Sequence, residues 1–270
     1  MKEIEMESLE AVKMVYFSPT GTTKRVINGI AEGISHPNTI DINMTHTSTR
    51  ELKLETTENE LLIVAVPVYM GRVPAVISKW LKTIKAQNTK VVCVVVYGNR
   101  TFGNSLLELT DIMTDCGCNP IAAGAFIGEH SFSNTQYPIA VSRPNSYDLD
   151  YSRTFGQSIR EKLSAKSDNK IKLIVAGERP YGGVTELWDV DFIHVNSNCN
   201  KCGLCAQICP VGAIGETSSA TVDTEKCIIC CACIKNCPTN ARTVKDGLVK
   251  DATIRLNNLC QEPKEAEYFI

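Results

Sequence analysis

The sequence predicts an α/β fold in which a doubly wound, five-stranded parallel sheet precedes a smaller cysteine-rich domain. Over the first 165 residues, apolar runs alternate with amphipathic stretches, which is typical of strands joined by helices. Nine of the 13 cysteines then fall between Cys199 and Cys237, eight of them at a regular spacing. A length of 270 residues also exceeds that of one average domain. These three observations together predict two domains of different architecture.

Five segments rich in β-branched and apolar residues predict the strands of the sheet. They are Val12–Phe17, Asn38–Met44, Leu61–Val66, Lys90–Tyr97 and Pro120–Ile127. Four amphipathic segments predict the helices between or after these strands, namely Thr22–Ile34, Pro74–Ile84, Asn104–Cys116 and Tyr151–Leu163. Ligands of parallel sheets bind beyond the carboxyl ends of the strands. We therefore expect a binding site in the loops after the first, third and fourth strands.

The charge balance and the amino-terminal residues restrict the class of protein. Lys and Arg total 28, Asp and Glu total 30, and the net charge of −2 argues against nucleic acid as a partner. The first ten residues contain four Glu, unlike a signal peptide. The longest apolar run, Leu61 to Met70, is shorter than the roughly 20 residues of a membrane span. We expect a cytoplasmic protein, whose reduced thiols point to metal binding.

Eight of the cysteines form an internal repeat. The two copies are Cys199, Cys202, Cys205 and Cys209, then Cys227, Cys230, Cys233 and Cys237, with an offset of 28 residues at each position. A proline follows each fourth cysteine, and Val211-Gly212-Ala213-Ile214 corresponds to Thr239-Asn240-Ala241-Arg242. Two copies of one small unit are therefore expected.

Each copy has the spacing C-x2-C-x2-C-x3-C-P, which holds bacterial 4Fe–4S clusters, with the fourth cysteine serving the other cluster. Three cysteines at intervals of three allow one loop to reach three corners of a cubic cluster. The first cluster is expected to bind Cys199, Cys202, Cys205 and Cys237. The second cluster is expected to bind Cys227, Cys230, Cys233 and Cys209. Zinc and disulfides are the alternatives, but a structural zinc site does not need a third cysteine at the same interval.

The other cysteines do not follow this spacing. Cys231 lies inside the second copy and is expected to be a buried, small apolar side chain rather than a ligand. Cys93, Cys116 and Cys118 are expected to be structural thiols. Apolar residues around the ligands are expected to shield the clusters from water, namely Ile208, Val211, Ile214, Ile228, Ile229 and Ile234.

The loop after the first predicted strand has the features of an anion site. Its sequence is Ser18-Pro19-Thr20-Gly21-Thr22-Thr23, with hydroxyls at four positions and a helix that begins at once. Backbone N–H groups and the helix dipole favour phosphate at such a position. The alternative is a helix capped by Thr20 or Thr22. Neither a Walker pattern nor G-x-G-x-x-G occurs in the chain, so a dinucleotide site is not indicated.

These loops carry a resemblance to a known family. SPTGTT resembles the phosphate loop of flavodoxins, while PVYMGRVP, from Pro67 to Pro74, and YGNRTFGN, from Tyr97 to Asn104, are similar to their second and third flavin loops. The resemblance covers roughly residues 11–165. With the tandem cysteine unit, the whole chain resembles the fused flavodoxin–ferredoxin proteins of anaerobes. This implies a flavodoxin-like sheet of strand order 2-1-3-4-5 and a C-terminal α+β domain like bacterial ferredoxins.

The resemblance also implies the residues of an FMN site. The phosphate would be held by Ser18, Thr20, Gly21, Thr22 and Thr23. One side of the flavin ring would be lined by Pro67, Val68, Tyr69, Met70 and Gly71, with Met70-Gly71 presenting a backbone group to flavin N5. The other side would be lined by Tyr97, Gly98, Asn99, Arg100, Phe102 and Gly103. Tyr69 or Phe102 would stack on the ring, or would simply pack in the core.

The chain departs from small flavodoxins at two places. Arg100 stands in the third loop where acidic residues are common, and a positive charge there would favour the anionic reduced flavin. The stretch from Gly128 to Asp150 is long for a connection between the last strand and the last helix. We expect it to cover the flavin or to meet the ferredoxin part. His130 would contact the flavin, lie at that interface, or face solvent.

The predicted domains are a flavodoxin-like FMN-binding domain over 1–168, a linker over 169–190, and a two-cluster ferredoxin domain with a C-terminal tail over 191–270. Three functions fit FMN and two 4Fe–4S clusters. We favour an electron-transfer protein that passes single electrons between clusters and FMN and on to redox protein partners. The alternatives are a flavin-dependent reductase of a quinone or nitro compound, and a redox sensor. No nucleophile triad or general base is evident, so catalysis stays open.

Overall fold

The computed structural model describes residues 9–165, 173–183, 189–215 and 221–270. The two ends of the predicted first domain, at 1–8 and 166–168, lie outside the described residues. So do the parts of the predicted linker at 169–172 and 184–188. The boundaries predicted for the domains therefore stay predictions.

Ten strands follow one another along the described residues. They are β1 (Ala11–Tyr16), β2 (Thr39–Asn43), β3 (Glu55–Thr56), β4 (Glu60–Pro67), β5 (Lys85–Ala86), β6 (Thr89–Tyr97), β7 (Cys118–Ile127), β8 (Ile193–Val195), β9 (Arg242–Val244) and β10 (Glu267–Phe269). The α-helices in the same part of the chain are α1 (Thr22–Ile34), α2 (Ala75–Leu81), α3 (Ser105–Asp115), α4 (Ser146–Ser164), α5 (Leu204–Gln207), α6 (Ala232–Lys235) and α7 (Leu248–Leu259). All five predicted strands and all four predicted helices are present.

Five of these strands form the expected parallel sheet. Their order is β2-β1-β4-β6-β7, and all four neighbouring pairs are parallel. Counted among these five strands alone, the order is 2-1-3-4-5, which is the doubly wound order of flavodoxin-like folds. The predicted fold class is therefore confirmed. The short strands β3 and β5 pair with each other outside this sheet.

The two faces of the sheet are covered by different helices, because alternate strand residues point to opposite faces. In β4, Leu62 and Val64 pack in a core with residues of α2 and α3, while Leu61 and Ile63 pack in a core with residues of α1 and α4. Helices α1 and α4 touch through glycines. A Cβ added at Gly33 would lie 2.0 Å from the carbonyl oxygen of Arg153.

The sheet has a sixth strand that the sequence analysis did not predict. Strand β10, near the C-terminus, pairs antiparallel with β7, with Tyr268 opposite Gly124. The ring of Tyr268 stacks on Phe155 of α4 at a centroid distance of 4.8 Å. A part of the tail that was predicted with the ferredoxin domain thus completes the edge of the first domain. Three residues are too few for an alternation pattern to predict such a strand.

The last helix of the first domain begins earlier than predicted. The expected start was Tyr151, but α4 begins at Ser146. Asn145 caps the helix, since its side chain accepts a hydrogen bond from the amide of Asp148, and the Asp148 carboxylate accepts one from the amide of Asn145. The predicted long connection from Gly128 therefore ends at Asn145 rather than at Asp150.

The cysteine-rich part has the expected small α+β architecture with an internal pseudo-repeat. Strands β8 and β9 pair antiparallel, and the short helices α5 and α6 occupy equivalent places in the two copies. Equivalent residues also share left-handed backbone angles. Gly203 and Cys231, which precede these helices, have φ values of 76° and 58°. Among the described residues, no helix has the length and apolarity that crossing a membrane requires.

Candidate functional site

The loop after β1 leaves backbone amides exposed at the start of α1. Gly21 is the N-cap residue with φ of 87°, and no side chain caps the helix, so the alternative of a cap by Thr20 or Thr22 is wrong. The Ser18 hydroxyl instead accepts a hydrogen bond from the amide of Lys24 at 3.0 Å. A Cβ added at Gly21 would meet no atom within 4 Å. The first amides of a helix have no intrahelical acceptor, so this open loop suits an anion.

One partner of this loop was missed by the sequence analysis. The amide of Ser18 donates to the hydroxyl of Thr45, which follows β2, at 2.8 Å. Since β2 is the neighbour of β1 in the sheet, Thr45 reaches the loop from the adjacent strand end. No local spacing in the sequence marks such a contact.

The loop after β4 is a tight turn with a defined geometry. Tyr69 and Arg72 exchange two backbone hydrogen bonds, at 3.1 and 3.0 Å. Between them, Met70 and Gly71 have φ values of 53° and 77°. Positive φ at both central residues defines a type I′ turn, which tolerates glycine more readily than methionine. The end of the turn is fixed by Arg72, whose guanidinium donates two hydrogen bonds to the buried Glu108 carboxylate, at 2.8 and 2.9 Å.

The loop after β6 meets the second loop and is held by the C-terminal tail. A Cβ added at Gly103 would lie 2.9 Å from Gly71, so the two loops touch through glycine backbone. The side chain of Asn99 does not face them. Its amide donates to the carbonyls of Cys260 and Glu262, and its oxygen accepts from the amide of Lys264. Asn99 therefore anchors the tail, a role the sequence analysis did not predict.

The aromatic residues of the two loops have different surroundings. Phe102 packs edge-to-face on Tyr97, with ring centroids 5.6 Å apart and an interplanar angle of 63°. Both join the core on the α2 and α3 face of the sheet. Tyr69 instead lies beside the cysteine-rich domain. Burial first, and then the charges of Cys230, Cys231 and Cys227, raise the pKa of its phenol. Arg100, by contrast, is exposed.

The segment after β7 connects the first and third loops. A Cβ added at Gly128 would lie 3.0 Å from the Cβ of Thr22, and one added at Gly98 would lie 2.3 Å from the ring of His130. The Nδ1 atom of His130 accepts a hydrogen bond from the amide of Phe132, so the neutral ring carries its proton on Nε2. Burial, and then the charge of Lys235, lower the pKa of His130 to about 4. The ring is therefore neutral near pH 7.

The predicted ligands of the second cluster surround one cavity. Cys209, Cys227, Cys230 and Cys233 all line one cavity. Apolar residues complete its wall, among them Ile214 and Ile228. Burial raises the pKa of Cys227 and Cys230, and raises that of Cys233 to about 12. Because a cluster binds thiolates, iron binding has to offset this burial cost. The four side chains thus fit a cuboidal cluster in a dry, sulfur-lined site.

The two fourth cysteines receive equivalent hydrogen bonds. The amide of Ala213 donates to Sγ of Cys209 at 3.2 Å, and the amide of Ala241 donates to Sγ of Cys237 at 3.3 Å. Donors to cluster sulfurs are one of the features that set reduction potentials. Among the first predicted set, Cys202 is exposed and Cys199, Cys205 and Cys237 are half-buried. Solvent exposure therefore distinguishes the two predicted clusters.

The cysteines outside the predicted sets are mostly enclosed. Cys231 is 2% exposed and has φ of 58°, and its thiol contacts the carbonyl of Ile229. Cys93 and Cys118 are also buried, and Cys116 is half-buried. No group of three His, Cys, Asp or Glu side chains in the described parts of the chain closes on a single metal ion.

The second copy of the cysteine repeat packs against the first domain. Ile228 joins the apolar core of the sheet, and Phe132 of the segment after β7 joins the core of the cysteine-rich domain. Lys235 donates to the Glu129 carboxylate and to the carbonyl of Ser133, both at 2.6 Å. The expectation that the long connection meets the ferredoxin part is therefore confirmed.

A second contact joins the region after β2 to the fourth cysteine of the first copy. The guanidinium of Arg50 and the hydroxyl of Thr47 both donate to the carbonyl of Pro210, which follows Cys209. The linker also packs on the flavin loops. Tyr181 lies under the guanidinium of Arg72, with 5.0 Å between its ring centroid and the Cζ atom. These contacts hold the predicted second cluster at the edge of the sheet where the strands end and the three predicted flavin loops begin.

Comparison with known proteins agrees with this two-part architecture. Residues 192–215 and 220–243 each match the 4Fe-4S binding domain family. No curated protein matches the chain. An archaeal flavodoxin is 17% identical, with 57% of this chain and 99% of that one aligned and a TM-score of 0.39. A Fusobacterium nucleatum flavodoxin bound to flavin mononucleotide is 15% identical, with 56% and 98% aligned and a TM-score of 0.39.

A rubredoxin oxygen:oxidoreductase from Desulfovibrio gigas is also similar, at 16% identity, with 59% of this chain and 37% of that one aligned and a TM-score of 0.41. The strand order of the sheet, rather than these low TM-scores, defines the fold of the first domain. In architecture the protein is therefore a fusion of a flavodoxin-like domain with a 4Fe–4S ferredoxin domain.

Proposed function

We propose that the protein is an electron carrier in which one FMN and two 4Fe–4S clusters exchange single electrons with each other and with redox protein partners. The clusters transfer one electron at a time, whereas a flavin accepts one or two. The open amides at Gly21, the type I′ turn at Met70-Gly71 and the loop after β6 support an FMN site. The paired 4Fe-4S family matches support two clusters.

One observation carries the proposal, namely the position of Tyr69. This residue belongs to the second predicted flavin loop and lies near Cys227 and Cys230. Val68 of the same loop packs in one apolar core with Ile228, which follows Cys227. A flavin bound against this loop would therefore be next to the second cluster. Cys202 of the first set faces solvent. With the first predicted cluster nearer the surface and the second nearer the flavin loop, electrons would pass from an external donor through the first cluster and then the second to FMN.

Joining the sites in one chain raises their effective concentration for each other. The contacts of Lys235 with Glu129 and of Arg50 with Pro210 fix the orientation of the predicted cluster sites relative to the predicted flavin loops. The protein thus sets the distance between the cofactor sites, their burial and their orientation.

Anaerobic cofactor analysis tests the composition. We expect about eight iron, eight sulfide and one FMN per chain. Cys199→Ala is expected to lose about four iron and to keep FMN, because Cys199 belongs to the first set only. A preparation without releasable FMN, or one with zinc in place of iron, would contradict the proposal.

A turnover assay separates the carrier from the flavin-dependent reductase. The holoprotein is reduced anaerobically and mixed either with a quinone or nitro compound, or with an oxidised redox protein such as a flavodoxin or a cytochrome. A carrier is expected to reduce the protein acceptor faster than the small molecule at equal driving force. Sustained turnover of the small molecule alone would favour the enzyme.

A further inference from the structure

The third predicted flavin loop is held by the C-terminal tail, which comprises residues 260–270. The side-chain amide of Asn99 in this loop donates to the carbonyls of Cys260 and Glu262, at 3.0 and 2.9 Å. Its side-chain oxygen accepts a hydrogen bond from the backbone amide of Lys264 at 2.9 Å. Both N–H groups and the oxygen of one side chain are therefore bound to the tail.

The backbone of the loop is attached to the same tail. Asn99 is 3% exposed and has a φ of 62°, a left-handed conformation that asparagine adopts more readily than most residues. The next residue, Arg100, is exposed, but its carbonyl accepts a hydrogen bond from Nζ of Lys264 at 2.8 Å. The tail therefore binds two consecutive residues of the loop, one through its side chain and the other through its backbone.

The loop also has contacts within the first domain. Gly98 lies against the ring of His130, and Gly103 lies against Gly71 of the second loop. The tail adds a contact from the other half of the chain. It begins where α7 ends, and α7 packs in the cysteine-rich domain through Val249. The ferredoxin domain is thus connected to the third flavin loop through this tail.

The tail has further attachments that do not involve the loop. The guanidinium of Arg143 donates to the carbonyl of Lys264 at 3.3 Å. Strand β10 pairs with β7, with Tyr268 opposite Gly124. A substitution at Asn99 therefore removes the contact with the loop and leaves these other attachments of the tail in place.

We infer that the C-terminal tail is part of the FMN site, because it holds the third flavin loop in its binding conformation through Asn99, so that FMN binding and tail docking stabilise each other. The inference rests on the proposed function, since it deepens the assignment of FMN to these loops. Asn99 is a positioning residue, because its side chain is fully engaged by the tail and acts on FMN only through the loop. A loop that is already ordered spares the ligand the cost of ordering it.

The first test measures the affinity for FMN. The flavin is released from the iron-loaded protein, and FMN is titrated back while its fluorescence is followed. Asn99→Asp keeps the size of the side chain and the tolerance for positive φ, but the carboxylate has no hydrogen to donate to the carbonyls of Cys260 and Glu262. The dissociation constant of FMN is expected to rise about tenfold, which is typical of coupled sites, with unchanged iron content.

Asn257→Asp is the matched control. The side chain of Asn257 on α7 also bridges to the first domain, since it donates to the carbonyl of Pro138 at 2.7 Å, but it does not contact the third loop. This substitution is expected to leave the affinity for FMN unchanged. Lys264→Met removes the hydrogen bond to the Arg100 carbonyl and is expected to weaken FMN binding by a smaller factor than Asn99→Asp. Unchanged affinity in Asn99→Asp, or equal losses in Asn99→Asp and Asn257→Asp, would overturn the inference.

The second test uses the unsubstituted protein and the reciprocity of coupled binding. If the docked tail raises the affinity for FMN, bound FMN stabilises the docked tail by the same factor. Hydrogen exchange of the amides in residues 260–270, measured by mass spectrometry, is therefore expected to slow about tenfold when FMN is added. A tail that only stabilises the fold would exchange at the same rate with and without FMN, and that result would overturn the inference without any variant.

The two proposals fail in different ways. If the unsubstituted protein binds no FMN, the proposed function fails. If it binds FMN but the tail and Asn99 do not affect that binding, only the inference fails. Iron content and thermal unfolding are recorded for each variant, and if Asn99→Asp does not fold, hydrogen exchange in the unsubstituted protein decides.

Discussion

Gly21 shows how one residue can define a binding loop. Its φ of 87° lies in the left-handed region, and the space around its α-carbon is open. A β-branched residue adopts this conformation only under strain. Its side chain would also project into the space where the phosphate is expected.

Gly21→Val is therefore expected to lose most of its FMN and to keep its iron. Released flavin and iron per chain measure the two cofactors separately. Gly247→Val is the control, because Gly247 also has a positive φ and open surroundings, but it precedes α7. Loss of iron in Gly21→Val would show that the two halves do not fold independently.

The ionisation of His130 makes the stability of the fold depend on pH. Its pKa is lowered by burial to about 4, against 6.5 for an ordinary histidine. Between these values the unfolded chain binds a proton that the folded chain does not. The free energy of unfolding is therefore expected to fall by about 2 kcal/mol when the pH is lowered from 7 to 5, because of this residue alone.

Urea unfolding at the two pH values checks this expectation. In His130→Gln the loss between pH 7 and pH 5 should be smaller by that amount, whereas the exposed His46→Gln should keep it. An unchanged pH dependence in His130→Gln would mean that the ring is protonated as easily in the folded protein as in the unfolded one.

At the scale of elements, β10 is a strand whose stability depends on its neighbours. Its three residues pair with β7, and Tyr268 packs on Phe155 and Tyr151 of α4. The same tail binds the side chain of Asn99 in the third flavin loop. The edge strand and the loop are therefore linked through one short segment.

Tyr268→Ala is expected to destabilise the protein by about 2 kcal/mol, because it removes a half-buried aromatic ring from this cluster. Thermal or urea unfolding followed by circular dichroism measures the change. Tyr147→Ala is the matched control. Tyr147 is 61% exposed and lies on α4, the helix against which Tyr268 packs. Equal effects of the two substitutions would argue against a packed β10.

The elements of the sheet were predictable because each carries a local pattern. The alternation of apolar runs and amphipathic stretches located all five parallel strands and α1 to α4. The start of α4 was misplaced, although Asn145 and Asp148 have the spacing of a capping box and could have located it. Strands β3 and β5 contain two residues each and carry no pattern at all.

At the scale of the whole molecule, the contact between domains decides how the predicted cofactor sites communicate. Lys235 makes one of the two polar contacts described above, between α6 and the segment after β7. Its side chain is about three-quarters removed from solvent, so the hydrogen bonds to Glu129 and Ser133 contribute about 1–2 kcal/mol to docking.

Lys235→Met is expected to slow electron exchange between clusters and flavin while leaving cofactor content unchanged. Transient absorption after photoreduction of the flavin measures this exchange. Lys250→Met is the control, because the ion pair of Lys250 on α7 is with the neighbouring Asp246, which precedes that helix. An unchanged exchange rate in Lys235→Met would show that Phe132 and Ile228 suffice to hold the domains together.

The sequence by itself determined the parallel sheet and the position of the three loops, and it predicted the two sets of cysteine ligands, since each follows from spacing along the chain. Tertiary structure decided which half of the cysteine repeat meets those loops, that Tyr69 lies beside it, that Asn99 holds the tail, and that Arg242 is buried. These features depend on residues far apart in the chain. Contacts at such separations leave no periodic signal, because they are selected by the packing of surfaces that exist only after the domains have folded.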